Sequence, residues 1–264
     1  MTADSTGSAA RLQRALAGGA KRNGREPVTR PAGAGGGTIC QVTPQAVTIA
    51  VDNALAVSGL LQVPRQARAC YVLAHGAGAG ITHAFMAAVA DGLGARNVAT
   101  LRFQFPSMER GSRRPDAPSL AHATVRAAVA AAARLTPALP LFAGGKSFGA
   151  RMTSQAQAEA PLPDVRGLAF LGFPLHPAGK PSADRAQHLF DVRVPMLFLQ
   201  GTRDALADLR LLVPLAEELG QGATLSLAED GDHSFHVRAR SGRTDEQALG
   251  EALAVLVGWM GTLL

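Results

Sequence analysis

Three side chains in this sequence are of the types that acyl transfer needs, and each stands just past an apolar run. They are Ser147 in Gly145-Lys146-Ser147-Phe148-Gly149, Asp204 in Gly201-Thr202-Arg203-Asp204, and His233 in Glu229-Asp230-Gly231-Asp232-His233. A serine hydroxyl is a poor nucleophile until an imidazole takes its proton. The imidazole in turn needs a carboxylate to fix its tautomer and stabilise its charged form. Around Ser147 the pattern is G-x-S-x-G, which holds a serine on a tight strand-to-helix turn in a strained backbone conformation. The glycines two before and two after it are required because side chains there would collide across the turn.

Each residue also has an ordinary reading. G-x-S-x-G is short, and a chain with 29 glycines matches it easily by chance. Gly145-Lys146-Ser147 also ends the phosphate-loop pattern. That pattern needs glycine at position 140, which is Pro140, and the residues between are strand-like. Asp204 is equally suited to capping a helix. His233 in a loop can be a plain surface histidine, and Asp230 and Asp232 compete as the acid. What favours catalysis is the joint order of serine, acid and histidine, each after a strand. Negative charge developing on a carbonyl oxygen also needs N–H donors. The oxyanion-hole candidates are the N–H groups of Phe148 and of Ala77, in His75-Gly76-Ala77-Gly78-Ala79-Gly80. That loop is not a dinucleotide-binding turn, because Ile81 stands where G-x-G-x-x-G needs its third glycine.

The elements that must position these residues follow from periodicity. Residues 46–51 and 57–63 read as two antiparallel strands joined by a turn at Asp52-Asn53. Apolar runs at 69–74, 98–103, 165–173 and 196–200, and the run from Leu141 that ends in Gly145-Lys146-Ser147-Phe148-Gly149, read as buried strands, and 224–227 as a last strand. Between them, residues 82–95, 119–135, the run after Ser147, 206–219 and about 244 onward read as helices. The Pro-rich stretch from Pro174 to Pro181 is a loop. Alternation of this kind predicts an α/β fold with a mostly parallel sheet covered on both faces. Ligands of such sheets collect at the carboxyl ends of the strands, where Ser147, Asp204, His233 and the Ala77 loop all fall.

The chain has 264 residues, 47% of them apolar, enough for a sizeable core. Residues 1–44 lack periodicity and read as a disordered tail, leaving residues 45–264 as the folded domain. The tail carries six Lys/Arg against two acids, so it holds +4 of the net charge of +6. The basic balance therefore says little about the body, whose sequence shows no basic run or motif for nucleic acid. Arg11 and Arg14 interrupt the only signal-like segment, and the apolar stretch from Ala252 to Leu264 is too short to span a bilayer. Two cysteines, Cys40 and Cys70, suggest no disulfide and a cytoplasmic setting.

Together, His75–Gly80, Leu101-Arg102-Phe103, Gly144–Gly149 with Arg151-Met152, Gly172-Phe173-Pro174-Leu175-His176-Pro177, Gly201–Asp204 and Asp232-His233-Ser234-Phe235 resemble the α/β-hydrolase superfamily near its dienelactone-hydrolase-like branch. Within it they are most similar to the small hydrolase-like domain shared by a testis-expressed protein and the third subunit of the nonspecific-lethal histone acetyltransferase complex. The resemblance implies the hydrolase fold, with Ser147 as nucleophile, Asp204 as acid and His233 as base, and no metal or organic cofactor. The expected function is cleavage of a carboxylic ester or thioester through an acyl-enzyme on Ser147. The alternative is a non-catalytic interaction module on the same fold, with the tail as a docking arm for a protein partner. Residues 174–193 are too few for a large lid, which suits a small or flexible acyl substrate. Arg102, Lys146, Arg151 and His176 match family motifs, but the residues alone assign them no role.

Overall fold

The structure, a computed structural model, describes residues 42–112 and 114–264. Cys40 and nearly all of the expected tail lie outside the described residues. One sheet of eight strands runs in the order β1-β2-β4-β3-β5-β6-β7-β8. The strands are β1 (Gln45–Ala50), β2 (Ala56–Gln62), β3 (Ala69–Ala74), β4 (Val98–Phe103), β5 (Leu141–Lys146), β6 (Val165–Leu171), β7 (Met196–Gly201) and β8 (Ala223–Ala228). The β1 strand is antiparallel to β2, and β2 to β4. From β3 to β8 every pairing is parallel.

Side chains alternate across a strand, so a strand buried on both faces is apolar at most positions. Cys70, Val72 and Ala74 of β3 face one core, together with Phe170 and Phe198. Ala69, Tyr71 and Leu73 face the other, together with Phe142 and Leu197. The first core is closed by α3 (Pro118–Leu135) and α4 (Phe148–Glu159), through Ala121, Val125, Ala128, Met152 and Ala156. The second is closed by α1 (Ala84–Gly94) and α6 (Asp245–Gly261), through Met86, Val89, Leu93, Leu253 and Leu256. Helices thus cover both faces, as the alternation of elements requires.

Two short helices escape periodicity because each is about a turn or two long. They are α2 (Pro106–Glu109) and a 3₁₀ segment, Asp184–Asp191, between β6 and β7. No larger insertion stands between β6 and β7, so the fold has no large lid. The β6 strand stops at Leu171 because Gly172 turns the chain at φ +72°. The α5 helix (Leu209–Glu218) begins later than expected. Its cap is Asp208, whose carboxylate accepts from the Arg210 N–H at 2.9 Å. Asp204 is therefore free of the capping duty that its position also suited. Among the described residues, no helix is long and apolar enough to cross a membrane.

Candidate active site

The elbow at Ser147 is built by exclusion. A Cβ on Gly149 would sit 2.6 Å from the Ala74 carbonyl oxygen, and one on Gly145 would strike the same carbonyl. The two glycines let the turn press against the end of β3, a contact the sequence reading had placed across the turn itself. Ser147 is forced to φ 53°, ψ −113°. A non-glycine residue there is strained by about 1–3 kcal/mol and persists only where its surroundings over-determine it. The hydroxyl is lifted off the rim, half-buried.

His233 arrives from the loop after β8. Its Nδ1–H donates to Asp204 Oδ2 at 2.6 Å. A carboxylate only accepts, so the proton is on Nδ1 and Nε2 keeps its lone pair. That Nε2 accepts from the Ser147 hydroxyl at 2.8 Å. The Asp204 side chain is 0% exposed, against 24% for His233. Asp204 Oδ1 accepts from the Leu206 N–H at 2.8 Å, and Oδ2 also accepts from Gln200 Nε2. A buried carboxylate that accepts three hydrogen bonds is held rigidly. The competing acids are occupied elsewhere. Asp230 pairs with Arg238 and Arg203. Asp232 closes its own loop by accepting from the Ser234 and His236 N–H groups. Glycine again permits the approach: a Cβ on Gly201 would strike the Gly231 and Asp232 carbonyls.

The two N–H candidates flank the serine. Phe148 is the first residue of α4, and the first N–H groups of a helix have no acceptor within it. Among the described residues the Ala77 N–H has no acceptor either, and Ala77 is exposed. Its neighbour Gly76 lies beside the elbow, its Cβ direction 3.7 Å from Ser147 Cβ.

Supporting residues of this loop were invisible to spacing. Buried His75 donates from Nδ1–H to the Gly76 carbonyl at 2.8 Å and accepts at Nε2 from the Phe105 N–H at 3.0 Å. Burial lowers its pKa, which favours the neutral ring this arrangement needs. Arg102 donates to the Ile81 carbonyl at 3.1 Å, while Gln104 Oε1 accepts from the Ile81 N–H at 3.0 Å. The far end of the glycine-rich loop is therefore clamped to the exit of β4. His176 clamps the acid loop. Its Nδ1–H donates to the Pro177 carbonyl at 2.8 Å, and Nε2 accepts from the Asp208 N–H at 2.9 Å. Gln200 reaches both sides, accepting from the Phe173 N–H at 2.9 Å while its amide donates to Asp204. Arg102 and His176 thus gain the structural duties that their sequence positions did not reveal. Nothing in the sequence marks Gln200. Among the described residues, no three His, Cys, Asp or Glu side chains converge as a metal-holding group.

The comparisons agree with this architecture. Residues 67–261 match the family model described as an alpha/beta hydrolase domain. Dienelactone hydrolase from Anabaena variabilis superposes with a TM-score of 0.68 at 21% identity, covering 85% of this chain and 99% of that one. An alpha-beta serine hydrolase homologue from Coxiella burnetii gives 0.65 at 16% identity, covering 81% and 96%. A Xanthomonas campestris protein, described as an α/β serine hydrolase without a lid, gives 0.60 at 21% identity, covering 81% and 95%. With a matched sequence model spanning all strands from β3 to β8 and the same fold in these neighbours, the chain belongs to the α/β hydrolase family.

Proposed function

We propose that the protein is a serine hydrolase that cleaves a carboxylic ester or thioester through an acyl-enzyme on Ser147. The observation that carries this reading is one continuous hydrogen-bond chain, from the Ser147 hydroxyl through the His233 ring to a fully buried Asp204 carboxylate. In the first step Ser147 Oγ attacks the acyl carbon and its proton passes to His233 Nε2. Asp204 stabilises the imidazolium. The carbonyl oxygen, now negative, is received by the N–H groups of Ala77 and Phe148. The imidazolium then protonates the leaving alcohol or thiol as the tetrahedral intermediate collapses to the acyl-enzyme. Water, deprotonated by the same imidazole, releases the acid and regenerates the serine.

A strained serine next to two free N–H donors supports turnover over a purely structural use of the fold, which has no need of either. The short β6–β7 connection suits a small or flexible acyl group. A fluorophosphonate probe should label the wild type at Ser147 and leave Ser147→Ala unlabelled. On a panel of model esters and thioesters of increasing acyl length, Ser147→Ala should lose about 10⁶ in kcat. A folded wild type that neither takes the probe nor turns over any member of the panel would refute this function.

A further inference from the structure

Lys146 stands between the elbow glycine and Ser147, and it is only 7% exposed. A buried ammonium has lost its hydration and must find compensation. Its Nζ donates to the main-chain carbonyl of His233. It also lies 5.6 Å from the centroid of the Phe85 ring, which stacks at 6.2 Å on Phe235, two residues beyond the histidine. Gly172, at the exit of β6, leaves the space. A Cβ there would meet Lys146 Nζ at 3.0 Å and His233 Cε1 at 3.3 Å, so ammonium and imidazole flank one glycine. The charged groups facing Nζ are Asp204, from the loop after β7, and Asp232, from the loop after β8. The neighbouring titratable ring is that of His233. Burial pushes the amine down to about 8, against the pull of those two carboxylates.

Consecutive residues of one turn thus carry the nucleophile and the group that grips the backbone of its base. We propose that Lys146 is a positioning residue for the acyl transfer of the preceding section, its ammonium pinning the main chain of His233 to the nucleophile's own turn. The inference rests on the serine-hydrolase reading for its kinetic consequence, but the grip itself is a property of the fold. A charged donor makes the stronger bond to a carbonyl. Loss of the proton weakens the grip and leaves Asp204 and Asp232 without their counter-charge.

The test compares wild type, Lys146→Met and Lys146→Arg. Methionine replaces a buried charge by an apolar chain of similar length, a change that cores often accept. Amide hydrogen exchange across residues 229–238 is read first, because it needs no turnover. It should be about tenfold faster or more in Lys146→Met. With p-nitrophenyl acetate, kcat of that variant should fall by about 10–100-fold with KM within about twofold. Wild-type kcat should decline above about pH 8, and Lys146→Arg, charged throughout, should lose that decline. Unchanged exchange at 229–238 in Lys146→Met, or an alkaline decline that persists in Lys146→Arg, overturns the proposal. Should the methionine variant fail to unfold cooperatively, the pH profile of the arginine variant decides alone. A wild type inert to the fluorophosphonate probe and to the whole ester panel removes the hydrolase reading, and exchange still decides the grip of Lys146.

Discussion

Asp204 shows how much a single side chain can be asked to do. Its carboxylate accepts from His233, Gln200 and the Leu206 N–H at once. Asparagine is the same size but brings an N–H₂ in place of one oxygen. If its oxygen keeps the Leu206 bond, the amide nitrogen faces two donors, the His233 Nδ1–H and the Gln200 amide. The imidazole must then move its proton to Nε2, where it can no longer accept from the serine. Under the proposed chemistry Asp204→Asn should lower kcat by roughly 10⁴ with KM little changed. Steady-state kinetics and a fluorophosphonate labelling rate on the folded variant check this. Retention of more than a tenth of the wild-type kcat would refute the assigned role. Ser147, Asp204 and His233 were legible from residue type and order alone. Gln200 was not, because a glutamine at a strand end is chemically ordinary until its two partners are known.

At the scale of elements, the site depends on how closely α4 approaches β3. The approach is set by absent atoms: the Gly149 Cβ direction points 2.6 Å from the Ala74 carbonyl oxygen, which is backbone and cannot rotate away. Gly149→Ala should therefore lift the first turn of α4 and destabilise the fold by about 2 kcal/mol or more. Urea unfolding measures this, and an unchanged midpoint would contradict the close contact. The strands β3, β4 and β7 were readable almost to the residue, because burial on both faces leaves mostly apolar choices. The starts of α1 and α5 were not. Their caps, His83 and Asp208, accept from N–H groups two residues on, and that local choice is made by geometry rather than by hydrophobic period.

For the whole molecule, burial of ionisable groups couples stability to pH. His188, in the 3₁₀ segment, has Nε2 2.8 Å from Ser154 Oγ on α4. Burial, then the charges of Arg151 and His122, push its pKa down to about 4, with Asp191 opposing. The unfolded chain takes up the proton near its ordinary value of 6.5, while the folded chain refuses it until about pH 4. The contribution is therefore fully present above pH 6.5 and is lost as pH falls towards 4. Allowing for partial solvent screening, it amounts to about 2 kcal/mol. Urea midpoints measured at pH 7 and pH 4.5 should differ less in His188→Gln than in wild type. An equal difference would show that other groups carry the acid sensitivity.

The amino-acid order by itself determined the long elements and the candidate side chains. Hydrophobic period and turn chemistry are local, and a serine between spaced glycines is a local pattern too. Only the tertiary structure decided the bonds. His233 meets Asp204 across 29 residues and Ser147 across 86, and Lys146 reaches the His233 carbonyl across 87. It also decided the antiparallel pairing of β2 with β4, which puts β4 between β2 and β3. Hydrogen bonds of this kind depend on where strand ends fall relative to one another. That placement is fixed by packing two cores against one sheet, and no window of sequence contains it.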